Sequence, residues 1–160
     1  MRHTIWLDNQ SHIPGRLLLP LFALAKALSG CRHSTYVTVY EDERFDPRTS
    51  LEWLGGTFSH SPWTDYIDLW WPQMPLRLAV PFVFRNALHE FYHVRDFHER
   101  GRDAFRTTHT LGRYSGKHWT RILYDQPSEA RARAFTRRTH RLVRWGRILI
   151  KPRQNAQVDL

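Results

Sequence analysis

Apolar residues recur along the 160-residue chain at two spacings, and the switches between them mark the elements. HTIWLD, residues 3–8, is a short β-prone run and predicts a first strand. After the turn residues Pro14 and Gly15, the apolar stretch from Leu17 to Leu28 predicts a buried helix closed by Ser29 and Gly30. STYVTVYED, with its β-branched and aromatic alternation, predicts the second strand. A charged, proline-containing stretch from Glu41 to Arg48 and a short apolar piece, LEWLGG, follow. In TDYIDLWW, residues 64–71, Ile67 and Leu69 alternate with Tyr66, Asp68 and Trp70, so one face meets a core and the other faces outward. This segment is read as an edge strand, ended by Pro72 and Pro75.

The spacing then lengthens. A helix is predicted from Leu76 or Pro81 to Arg100, with Gly101 as its stop. Residues 102–126 are mixed in character and predict no regular structure beyond a turn of helix around Lys117–Leu123. DQPSEARARAF opens a last helix, with Pro127 in its first turn and Glu129 near the third helical position. That helix is expected to run to about Trp145. The whole predicts one α+β domain over residues 1–150 and a polar tail, KPRQNAQVDL, over 151–160.

Composition adds three constraints. With 41% hydrophobic and 14% aromatic residues the chain can build a core. Its 24 Lys and Arg outnumber 15 Asp and Glu, giving +9, so an acidic partner such as nucleic acid stays open. A single cysteine, Cys31, excludes an intramolecular disulfide and a Cys-rich zinc ribbon, so any metal would need histidine and carboxylate ligands. The N-terminus lacks a signal-peptide apolar core, and LLLPLFALAKALSG is interrupted by Pro20 and Lys26 and too short to span a bilayer. A soluble, cytoplasmic protein without a membrane partner is the expectation.

The chemistry concentrates in NALHEFYH, residues 86–93, where His89 and His93 stand four apart and Glu90 follows the first. At this composition an HExxH arises by chance about 0.02 times. Histidines at i and i+4 share one helix face about a turn apart, so both imidazoles can bind one Zn²⁺ while Glu90 reaches a water on the metal. Measured around the helix from His89, His93 lies at about 40°, Asn86 at about 60° and Glu90 at about 100°. Val94, Ala87, Phe91, Phe84 and Leu88 span about 140° to 260°, an opposed apolar face. Two histidines on an ordinary helix would not require Glu90.

A third ligand decides the family. Asp96 lies about 10 Å along the axis from His89, beyond a short side chain's reach, and His98 points about 180° away. The metzincin pattern, a glycine three residues past the second histidine and then a third histidine, meets Asp96 and Glu99 here. Glu129 is the better candidate, because it borders the buried face of its helix. Ala130, Ala132 and Ala134 would let that helix approach closely. The competing reading is an acid in the first turn that complements the helix dipole.

ALHEFYHVRDFH followed by DQPSEARARAF resembles the minimal gluzincin metallopeptidases, in which an HExxH helix gives two histidines and a glutamate on the next helix gives the third ligand. The likeness covers the layout of residues 64–140, and Arg95 departs from it where the extended motif carries a hydrophobic residue. It implies a compact α+β zincin-like domain, with a small mixed sheet whose edge strand packs on the HExxH helix and a second, ligand-bearing helix. It also implies zinc on His89, His93 and Glu129, and Glu90 as general base. SGKHWTRIL more loosely resembles the segment after the active-site helix of SprT-like proteases, with His109 and His118 displaced from the ligand position.

Arginines from Arg131 to Arg147 form a basic helix face that is either a solvated surface or a non-specific track for a phosphate backbone. Trp53, Trp63, Trp70 and Trp71 are core residues or the lining of a substrate groove. An oxyanion-stabilising group is sought among His109, Tyr114, His118 and Tyr124. Two functions follow. One is a zinc metallopeptidase holding a peptide or protein along the 64–71 strand. The other is a non-catalytic protein- or nucleic-acid-binding module whose zinc site is structural or a relic.

Overall fold

Parallel pairing needs a long crossover, and the first 42 residues contain one. In a computed structural model, which describes residues 4–42, 56–108 and 126–143, β1 (Ile5–Gln10) leads through helix α1 (Gly15–Ser29) to β2 (Thr35–Asp42), and the two strands pair in parallel. Gly30 ends α1 in the left-handed region at φ 74°, where a side chain would be strained. Strands β3 (Gly56–His60) and β4 (Asp65–Pro72) form an antiparallel hairpin, and β4 also pairs in parallel with β2. The mixed sheet has the order β1-β2-β4-β3.

Helix α2 (Leu76–Arg100) follows, then α3 (Arg102–Thr108) and α4 (Pro127–Leu142). Pro81 lies inside α2, so the helix starts at the earlier of the two predicted points and tolerates one missing backbone donor. Gly101, at φ 83°, breaks the chain direction between α2 and α3.

Alternation along the strands sends Val37, Val39, Ile67 and Leu69 into a fully buried layer with Phe22 and Ala25 of α1 and Val83, Phe84, Ala87 and Leu88 of α2. Burying a side chain of this size contributes about 1.5–3 kcal/mol, so this layer dominates the fold's stability. The other sheet face carries Trp6, Tyr36 and Tyr66 in one cross-strand row.

Two sequence expectations are corrected. The 64–71 segment is not an edge strand: β4 has neighbours on both sides, because Ser61 and Thr64 close a tight turn that folds β3 back along it. The edge lies at β3, which was not predicted because its five residues, GTFSH, contain only one large apolar side chain. Helix α3 also falls in a stretch expected to be irregular; its charged sequence hides one anchor, Phe105, which is buried against Phe58 and Phe97. The last helix ends at Leu142, where Val143 turns to extended backbone, about three residues before the expected end near Trp145; the expected turn near 117–123 and the 151–160 tail lie outside the described residues. Among the described residues no helix is long and apolar enough to cross a membrane.

Candidate metal centre

The i, i+4 spacing on α2 places the His89 and His93 Nε2 atoms 3.0 Å apart, with their rings near perpendicular at 80°. Glu129, the third residue of α4, reaches both: Oε2 lies 3.0 Å from His89 Nε2 and Oε1 3.0 Å from His93 Nε2. Ligand atoms of the three residues all fall within 4.8 Å of one another. A tetrahedral zinc with bonds of about 2.0–2.1 Å holds its donors about 3.3 Å apart, so this triangle is a few tenths of an ångström smaller than a zinc ion needs. Two imidazoles and one carboxylate form a donor set suited to a borderline divalent ion and leave a fourth position open.

Electrostatics in the centre are coupled. Burial alone would lower the His89 pKa, but its hydrogen bond to Glu129 and the charges of Glu90 and Glu129 reverse the shift and raise it. Burial opposes ionisation of Glu129, yet the hydrogen bonds of His89 and His93 hold its carboxylate well below the usual range. The Glu129 carboxylate is therefore ionised at neutral pH and able to serve as a ligand.

Several contacts bring α4 to that position. Asp96 accepts from Arg100 Nε at 2.6 Å on its own helix and from Arg131 Nη2 at 2.7 Å on α4. Tyr92 stacks on Phe135 with ring centroids 4.7 Å apart, and Ala132 is fully buried at the approach. Of the three alanines expected at this contact, Ala130 and Ala134 are exposed and only Ala132 serves. Asp96, judged too distant to be a ligand, is instead held by these two arginines.

Glu90 is 6% exposed, and burial pushes its pKa up to about 7 despite the opposing charge of His89. The backbone of β3 passes directly over it. A Cβ on Gly56 would lie 2.8 Å from Glu90 Cγ, 2.8 Å from Leu69 Cδ2 and 3.1 Å from Glu90 Oε1, so any larger residue there must displace those side chains. One turn earlier on α2, Asn86 Nδ2 is buried without a hydrogen-bond partner. Phe105 of α3 meets the His93 ring edge-on, with centroids 6.1 Å apart.

Gly56 and Phe105 were missed by sequence reasoning. The signal for Gly56 was its place at the end of LEWLGG; that for Phe105 was one aromatic within a charged run. His98 points away as the helix geometry required and bonds Asp65 instead. Arg95, the departure from the extended motif, binds Glu99 and the Ser29 carbonyl on the surface. Trp71 is core, Trp70 stacks with Tyr40, and Trp63 is 92% exposed at the β3–β4 turn. Trp53, His109, Tyr114, His118 and Tyr124 lie outside the described residues. Compared with protein-family models, with curated proteins and with solved structures, the chain matches none.

Proposed function

We propose that the chain is a zinc-dependent metallopeptidase of the minimal gluzincin type, built on a zincin-like α+β domain. The observation that carries this reading is the meeting of Glu129 with His89, 40 residues away in sequence and on a different helix, at hydrogen-bond distance. A dipole-complementing acid in a first turn has no reason to contact both histidines of an HExxH. The zinc-ligand role goes to His89, His93 and Glu129, and bound zinc supplies Lewis acidity to the attacked carbonyl and to the attacking water.

Glu90 is the general base. It takes a proton from the attacking water and returns it to the leaving amine; in the metal-free protein burial already holds its pKa above the ordinary carboxylate range. Gly56 lets the β3 backbone lie against this carboxylate, so a peptide extended along β3 would pass the site. No described strand pairs with the outer edge of β3, which can receive a peptide or protein substrate by β-augmentation.

Hydrolysis of a mixed peptide library tests the reading, with wild type, Glu90→Gln and chelator-treated protein side by side. Wild type is expected to cleave and the other two to be inactive. Equal cleavage by wild type and Glu90→Gln would remove the catalytic role. No cleavage by zinc-loaded wild type would favour the binding module.

A further inference from the structure

Four residues from four segments of the chain meet at the other end of the sheet: His33 in the turn before β2, His60 at the end of β3, Asp65 at the start of β4 and His98 near the end of α2. Asp65 is 3% exposed and is the hub. Its Oδ2 lies 2.8 Å from His98 Nε2, and its Oδ1 lies 2.8 Å from His60 Nδ1. Ligand atoms of His33, Asp65 and His98 all fall within 4.8 Å of one another. We infer that His33, Asp65 and His98 form a second site for a borderline divalent cation such as Zn²⁺, distinct from the His89/His93/Glu129 centre.

Helix geometry separates the two centres. From His93 to His98 the axis advances about 7.5 Å and the direction turns by about 140°, so a single ion cannot serve both. The donor set matches the first centre in kind: two imidazoles and one carboxylate, with room for a solvent ligand. His60 is the positioning residue. By holding Oδ1 it fixes the plane of the carboxylate and leaves Oδ2 turned toward His98, the type of supporting contact that orients a metal ligand. Lys26 competes for no ligand atom here: its ammonium donates to the backbone carbonyls of Thr4 and His33 and pins the turn that carries the His33 ring.

One adjustment is required. The His33 ring lies flat on His98, with centroids 3.5 Å apart and planes 10° from parallel. Two parallel rings cannot both present an in-plane nitrogen lone pair to one ion, so binding turns the His33 imidazole out of the stack. The His98 side chain is 27% exposed and His33 is partly buried, so the pair lies at the surface and the His33 ring turns toward solvent. The bound ion would join the turn before β2, the start of β4 and the end of α2.

The background for the test is His89→Ala/Glu129→Ala, which removes the first centre at two partly exposed side chains. After chelation this protein is titrated with zinc chloride in a calorimeter, and its thermal midpoint is followed. Uptake of about one zinc per chain with a rise in midpoint is expected. Adding His98→Ala or His33→Ala should abolish uptake, and adding His60→Ala should weaken it by about 10- to 100-fold. No uptake by a cooperatively melting double variant would overturn the inference, as would uptake unchanged by both His98→Ala and His33→Ala. If the double variant fails to fold, the wild-type chain decides. Its zinc content should fall by about one ion on His98→Ala, and an unchanged content overturns the site whether or not the first centre exists.

Discussion

Glu90 carries the sharpest consequences at the scale of single residues. Glu90→Gln keeps size and shape, so the variant should fold, keep zinc and lose turnover by about 10²-fold to 10⁴-fold or more. In the metal-free form the variant should also become more stable than wild type as pH rises. Burial raises the folded pKa of Glu90 from 4.5 to about 7, so this side chain's favourable contribution is present below the unfolded value and is lost as pH rises through about 7. Chelated wild type and Glu90→Gln should therefore differ little at pH 5, and at pH 8 the variant should be more stable by about 2–3 kcal/mol. Denaturant melts at both pH values check this, and a gap that does not widen with pH would contradict it. Gly56→Ala provides a second test, because its Cβ must displace Glu90 or Leu69. Activity should fall while zinc content holds, with a stability loss of about 1–3 kcal/mol. Loss of zinc with activity retained would contradict it. Sequence could reveal Glu90, since its neighbours His89 and His93 are local, but not Gly56, whose role arises only when β3 folds over α2.

Between elements, the critical contact is the one that carries Glu129 to the histidines. Asp96 links α2 to α4 through Arg131, and its carboxylate is nearly buried. Burial opposes its ionisation, but the hydrogen bonds of Arg131 and Arg100 prevail and hold its pKa low. Asp96 thus stabilises the fold above its unfolded pKa, and that contribution is lost as pH falls through the folded one. Asp96→Ala should cost about 1.5–3 kcal/mol and weaken zinc binding by about 10-fold to 100-fold without touching a ligand. Calorimetric zinc titration checks it; unchanged affinity would mean that α4 docks by Tyr92, Phe135 and Ala132 alone. Helices α1, α2 and α4 were legible because their apolar spacing and end signals are local. The edge was misassigned because pairing order is a property of the whole sheet: period-two alternation in 64–71 describes two faces and says nothing of which edges are filled. Helix α3 escaped for a related reason, since a single buried ring, Phe105, leaves no period to read.

For the whole molecule the +9 charge is the largest unassigned feature. The expected basic track along α4 is narrower than the sequence implied. Arg131 binds Asp96, and Arg133, 16% exposed, turns toward Glu129 at 3.9 Å. Arg137, Arg138 and Arg141 remain on the exposed side, and Arg144 lies outside the described residues. Nucleic acid bound here should show no sequence preference, and its affinity should fall steeply with salt. Arg137→Glu/Arg141→Glu should weaken it uniformly across sequences. Salt-insensitive or sequence-selective binding would count against an electrostatic track.

In the proposed function Glu129 completes a zinc centre begun by His89 and His93. Zinc affinity of the His98→Ala protein, measured with and without Glu129→Ala, decides this, because the second cluster is silenced in both. About one tightly bound zinc is expected in the first protein, and a loss of affinity of more than about 100-fold in the second. Equal affinity in the two, with both folded, would show that Glu129 is not a ligand.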